Sequence, residues 1–199
     1  VGGSGTDGEI EDFLPLRATI DCPGGGRVLT LGAPGLAIDH RGQSWIEPRG
    51  IDEMLDALAG RGASLFLLLM RDGDCPEGYR LMLRQRVKQA GMAFAALPID
   101  DFSTPGRAWM RAWRRVSGQA FAQLAADRAI ALCCSYGAGR SGMIAAYILH
   151  QLGLSVEGAL FKVRSQFPES VESPAQEAWL HTQSKGGRSA AKTSEGAKA

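Results

Sequence analysis

The sequence has little of anything that would push it toward an extreme class. Lysine and arginine number 22 against 21 aspartates and glutamates, so the formal net charge is +1. No global attraction to nucleic acid or to an anionic membrane is expected from that balance. Long apolar runs are missing too. The longest, "ASLFLLLM" at 63–70, is far short of the ~20 residues that a bilayer-spanning helix needs. The start, "VGGSGTDGE", has no basic stretch leading into an apolar one, so no signal peptide is read there. Four cysteines lack framework spacing, no CxxC or HExxH pattern occurs, and the histidines stand apart at His40, His150 and His181. Neither a disulfide scaffold nor a metal site is expected, and the cysteine usage fits a reducing, cytoplasmic compartment.

What is present is a chain of 199 residues with 45% apolar side chains, enough for one domain with a proper core. Residues 1–9 are glycine-rich and expected to be flexible. The stretch 184–199, "SKGGRSAAKTSEGAKA", is small, polar and expected to be disordered. The folded domain is therefore placed at 10–183. Within it, strand patterns at 27–32, 36–39, 63–70, 92–99 and 129–134 alternate with helical ones at 50–62, 76–91, 104–126, 139–153, 155–166 and 174–183. Thr104-Pro105 reads as the N-cap and first turn of the long helix. This order predicts an α/β fold: a mostly parallel central sheet flanked by helices on both faces. Ligands of such sheets sit at the C-terminal ends of strands.

"CCSYGAGRSG" (133–142) lies at such an end, between the last strand and a helix. Gly137, Gly139 and Gly142 let the backbone turn tightly, and successive N–H groups with a helix N-terminus form an anion cradle. Gly137 to Gly142 also spells GxGxxG, a dinucleotide fingerprint. That reading needs an acidic residue about 20 positions on, at a strand tip. Glu157 is the nearest, and it lies in a helical pattern. Counting from Cys134 gives the other reading. Five residues separate it from Arg140, and Ser141 follows. A thiol at the loop floor gains nucleophilicity as thiolate, yet a free cysteine is only ~3% ionised at pH 7. The loop amides, the helix end and Arg140 all favour the anion. Arg140 can also grip two phosphate oxygens with its planar fork, and Ser141 can donate a hydrogen bond to the sulfur. Alone, a strand-end cysteine is an ordinary core residue; the glycines and Arg140 mark this one as reactive.

The segment resembles the signature HCxxGxxR[ST] of the cysteine-dependent protein tyrosine phosphatase superfamily. Cys134, Gly137, Arg140 and Ser141 match, and Cys133 replaces the histidine. That histidine helps order the loop and favour the thiolate, so its loss implies a weaker thiol, or a role for Cys133 in trapping oxidised Cys134. "LPIDDFSTPG" (97–106) is similar to the acid loop of compact dual-specificity phosphatases, especially the cyclin-dependent-kinase-associated group. The resemblance implies Asp101 as general acid and base, with Asp100 as the alternative; without it, both aspartates would simply cap a loop. "VESPAQEAWL" (171–180) resembles that group's C-terminal motif, with Gln176 either placing water or packing beneath the loop. Arg164 is kept, and Phe167 stands where a second arginine is frequent.

The resemblance covers about 27–180 and implies a phosphoprotein phosphatase without metal or cofactor. Its substrate would be a phosphorylated protein or peptide, carrying phosphotyrosine and also phosphoserine or phosphothreonine. Cys134 attacks, Arg140 binds, Asp101 moves the proton and Ser141 assists, while Ser135, Tyr136, Gly137, Ala138, Gly139 and Arg140 hold the phosphate. The rivals are a pseudophosphatase that binds without cleaving and a dinucleotide oxidoreductase. Ser135, Tyr136 and Ala138 carry no positive charge, which disfavours inositol lipids. In "RAWMRAWRR" (107–115), Trp109 and Trp113 are expected to face the core and the arginines water, with an acidic-partner docking face as the alternative. Cys22 and Cys75 read as structural, and His150 as a favourable charge near a helix end.

Overall fold

Continuous apolar runs bury a strand on both faces, and the central strands here do so. The computed structural model describes residues 15–38, 40–41 and 43–184; the expectations for 1–9 and for the tail beyond Ser184 lie outside those residues. In chain order the elements are β1 (Leu16–Asp21), β2 (Arg27–Leu31), β3 (Leu36–Ile38), β4 (Ser44–Ile46), α1 (Pro48–Ala59), β5 (Ala63–Leu68), α2 (Tyr79–Gln89), β6 (Ala93–Ala96), α3 (Arg107–Ala125), β7 (Ala129–Cys133), α4 (Gly139–Gln151), α5 (Val156–Gln166) and α6 (Pro174–His181). The main sheet runs β1-β2-β7-β5-β6. Only the β1–β2 pair is antiparallel; β2–β7, β7–β5 and β5–β6 are parallel. β3 and β4 form a separate antiparallel ribbon.

β7 is buried along its whole length. α1 packs on α2, while α5 and α6 pack around α4. Trp113 of α3 meets Tyr147 of α4 edge-on at 6.2 Å, which joins α3 to that second group. The two helix groups cover opposite sides of the sheet. Trp109 and Trp113 stack at 5.7 Å in the core, and Trp109 Nε1 donates to the Leu97 carbonyl at 2.9 Å. Arg107, Arg111, Arg114 and Arg115 are exposed on the other side of α3.

Several element ends differ from the sequence pattern for local reasons. β6 is shorter than 92–99 because Pro98 has no N–H, although Leu97 and Ile99 still donate to Leu68 and Leu69 at 2.8 and 3.0 Å. The long helix starts at Arg107 with Gly106 as N-cap, not at Thr104. A residue preceding proline avoids helical backbone, so Thr104 stays in the loop. α2 begins only after Gly78, whose φ of 80° is left-handed.

Candidate active site

The end of β7 becomes a loop without leaving the sheet's hydrogen-bonding frame. Cys134 N–H donates to Leu31 at 3.2 Å, and Ala33 N–H donates to Ser135 at 3.1 Å. Gly137 then turns with φ 96°, where a Cβ would stand 2.6–2.7 Å from Gly32 N, Arg17 Cγ and Leu31 C. Only glycine fits that turn. α4 starts two residues later, so its unpaired N–H groups face the loop. Cys134 Sγ, buried at the floor, accepts the Gly137 N–H at 3.2 Å and lies 3.3 Å from Ser141 Oγ.

Arg140 is the largest fully buried side chain among the described residues. Its Nη1 donates to Asp74 and, at 3.1 Å, to the Ile99 carbonyl; Nη2 donates to Ser135 Oγ at 2.7 Å and stands 3.2 Å from Asp101 Oδ1. Nε is buried with no hydrogen-bond partner among the described residues. Burial opposes the Arg140 charge, but the Asp74 hydrogen bond with the nearby Cys134 and Asp101 outweighs it, and its pKa is raised. Asp74 closes the short 3-10 turn Asp72–Asp74 after β5. Sequence reasoning missed it, since nothing in "RDGDCP" announces a partner 66 positions away.

Asp101 reaches Arg140, while Asp100 turns outward to pair with Arg71. Phe102 follows with a left-handed φ of 52°, and its carbonyl accepts from Ser173 Oγ at 3.3 Å. The acid loop is thereby tied to the N-terminus of α6. There Ser173 and Gln176 form a reciprocal capping box. Gln176 is fully buried, with Nε2 also 3.5 Å from the Ser103 carbonyl, so it packs beneath the loops.

Tyr136 is 45% exposed on the outer rim, where its ring lies 6.0 Å from Phe167 and 4.5 Å beneath Arg17. Phe167 thus packs against the loop where a second arginine is frequent. Cys133 is buried and its thiol faces the Gly32 carbonyl at 3.7 Å. Burial, and secondarily Cys134, pushes its pKa well above the ordinary thiol value. A thiol that resists ionisation is a poor trap for an oxidised neighbour. Burial likewise pushes Cys22 up to about 11. Glu157, which the dinucleotide reading needed at a strand tip, sits on helix α5 and faces His181. His150 is buried, its ring nitrogens 2.8 and 3.1 Å from the Leu154 and Gln183 carbonyls, so it ties α4 to the chain beyond α6.

The fold is that of the cysteine-dependent protein tyrosine and dual-specificity phosphatases. Among solved structures, kinase-associated phosphatase (KAP), with its catalytic-site cysteine replaced by serine, matches with a TM-score of 0.66 at 20% identity, over 84% of this chain and 93% of that one. Tk-PTP in its active form matches at 0.56 and 23% identity, over 78% and 90%. PTPMT1 in complex with PI(5)P matches at 0.55 and 17%, over 77% and 86%. No protein-family model and no curated protein matches the chain.

Proposed function

We propose that the chain hydrolyses phosphomonoesters on proteins, phosphotyrosine and also phosphoserine or phosphothreonine, through a phosphocysteine intermediate. The observation that carries this reading is the uncommitted Arg140 Nε, a buried cationic donor beside a thiol that already accepts an amide hydrogen. Buried donors are almost always satisfied, and an oxyanion on the loop would satisfy this one. In the first step the Cys134 sulfur bonds to phosphorus as the ester P–O bond breaks, and Asp101 gives its proton to the leaving oxygen. In the second, Asp101 takes a proton from water, the new P–O bond forms, and the sulfur leaves with a hydrogen bond from Ser141. Arg140 and the loop amides stabilise the equatorial oxygens throughout. The chemistry is supplied by these side chains without a metal.

Carboxylates surround the cradle: Asp74, Asp101 and Glu172. With no cation at Ser135, Tyr136 or Ala138, this favours a single phosphate over a multiply phosphorylated inositol headgroup. PTPMT1, seen with PI(5)P, makes a lipid the rival substrate. A cytoplasmic setting, which keeps the thiol reduced, belongs to the same proposal. The expected outcome is hydrolysis of an aryl phosphate in excess chelator, inhibition by vanadate and no turnover by Cys134→Ser. A panel of phosphotyrosine, phosphothreonine and phosphoinositide compounds then ranks the substrates. Oxyanion binding without turnover in the wild type would leave a binding module instead.

A further inference from the structure

Glu172 takes no part in the steps above, yet its placement is over-determined. Val171, β-branched and buried, holds a left-handed φ of 63°, a conformation such residues keep only when their surroundings impose it. The surroundings do so here. Arg164 Nε and Nη2 donate to the carbonyls of Ser170 and Val171 at 3.2 and 3.3 Å, and Val171 N–H donates to Ala138 at 3.3 Å. The capping box of Ser173 and Gln176 fixes the following turn. This delivers the Glu172 carboxylate onto the first residue of α4, into the space a Cβ at Gly139 would need.

The charged and titratable groups around it come from every neighbouring element. Asp101 faces it from the acid loop, Arg140 from α4, Tyr136 from the cradle and Glu169 from its own segment. Arg164 of α5, with Glu177 and His181 of α6, lines the adjoining cleft of about 540 Å³. The Gly139 N–H, which draws on this carboxylate, belongs to the ring of amides read above as the phosphate cradle. A dianion and a fixed carboxylate cannot share those donors without repulsion.

We propose, resting on that reading of the loop, that Glu172 is a resident anion that sets the affinity of the site: an oxyanion enters as Glu172 takes up one proton from solvent. Burial first, and Asp101 second, already hold the Glu172 carboxyl above its usual range, so the dianion completes a protonation that the fold has prepared. The sign follows. Below the Glu172 pKa the carboxyl is neutral and oxyanions bind freely; above it, binding weakens as pH rises.

Calorimetric titration of sulfate, which does not itself titrate near neutrality, into the Cys134→Ser chain tests this without turnover and without the thiol. Two buffers of different ionisation enthalpy count the protons. The expected result is uptake approaching one proton per sulfate at pH 7, lost in Cys134→Ser/Glu172→Gln and equally in Cys134→Ser/Glu172→Ala. The double variants should bind sulfate about tenfold more tightly at pH 7, and all three proteins should converge at acidic pH. Unchanged uptake and affinity after either substitution would overturn the inference alone. Failure of all three proteins to bind sulfate would overturn the phosphate reading, and the inference with it.

Discussion

Asp100 and Asp101 are adjacent in sequence and differ in what they touch, which lets the acid be tested directly. Asp101→Asn removes the only one of the pair beside Arg140. Its kcat on an aryl phosphate should fall about 10²–10⁴-fold. Asp100→Asn severs only the solvent-exposed pair with Arg71. Such pairs contribute about 0–1 kcal/mol, so its activity should stay within a few-fold of wild type. Steady-state rates of the two variants decide the matter, and the reverse ranking would reassign the acid. Asp74 acts one step back, through Arg140. Replacing it by Asn leaves the hydrogen bond's shape but removes the charge from beside a guanidinium that is 1% exposed. Losing the charge partner of a buried ion is costly, about 3 kcal/mol, less here because Asp74 itself keeps some water. Melting in denaturant should show that loss, together with a rise in KM that outweighs the fall in kcat.

Among the elements, α4 lies tight against the segment before α6, and two glycines mark that junction differently. A Cβ at Gly142 would lie 2.9 Å from Ser170 Cβ and 3.0 Å from Val171 N. Backbone must move to admit it, so Gly142→Ala should destabilise the chain by about 1–3 kcal/mol. A Cβ at Gly139 would instead meet the tip of the Glu172 side chain. The backbone that carries Glu172 is held in place, so only its side chain can give, and Gly139→Ala should lower the melting temperature less than Gly142→Ala does. The two melting curves check the contrast. These junctions also explain what was legible. The strand ending at Cys133, the cradle and the following helix were plain because apolar runs, glycines and Arg140 are local signals. β1 and β4 were missed. "LRATID" has no strong alternation, and it is held by pairing with β2, which no local pattern records. Asp74 and Glu172 were missed for a related reason. A salt bridge across 66 positions and a carboxylate aimed by a left-handed valine are properties of the folded chain.

For the whole molecule, the acid loop is fastened at its start and its middle to two different elements, α3 and the N-cap of α6. Trp109 holds its start through the Leu97 carbonyl, and Ser173 holds its middle through Phe102. From Trp109 the rings continue through Trp113 and Tyr147 to Trp179, at spacings of 5.7, 6.2 and 5.3 Å. These ring contacts, stacked within α3, edge-on to α4 and tilted between α4 and α6, join the three helices behind the cradle. The indole of Trp109 also lines the hollow between the acid loop and α3, beside Pro98, Ile99 and Pro105. An intrinsic fluorophore therefore stands at the root of the acid loop. Vanadate on the cradle would meet Asp101 of this loop, so its binding should change tryptophan emission in colour or intensity, and the change should vanish in Trp109→Phe. Stopped-flow light measurements could then time oxyanion binding in the unlabelled chain.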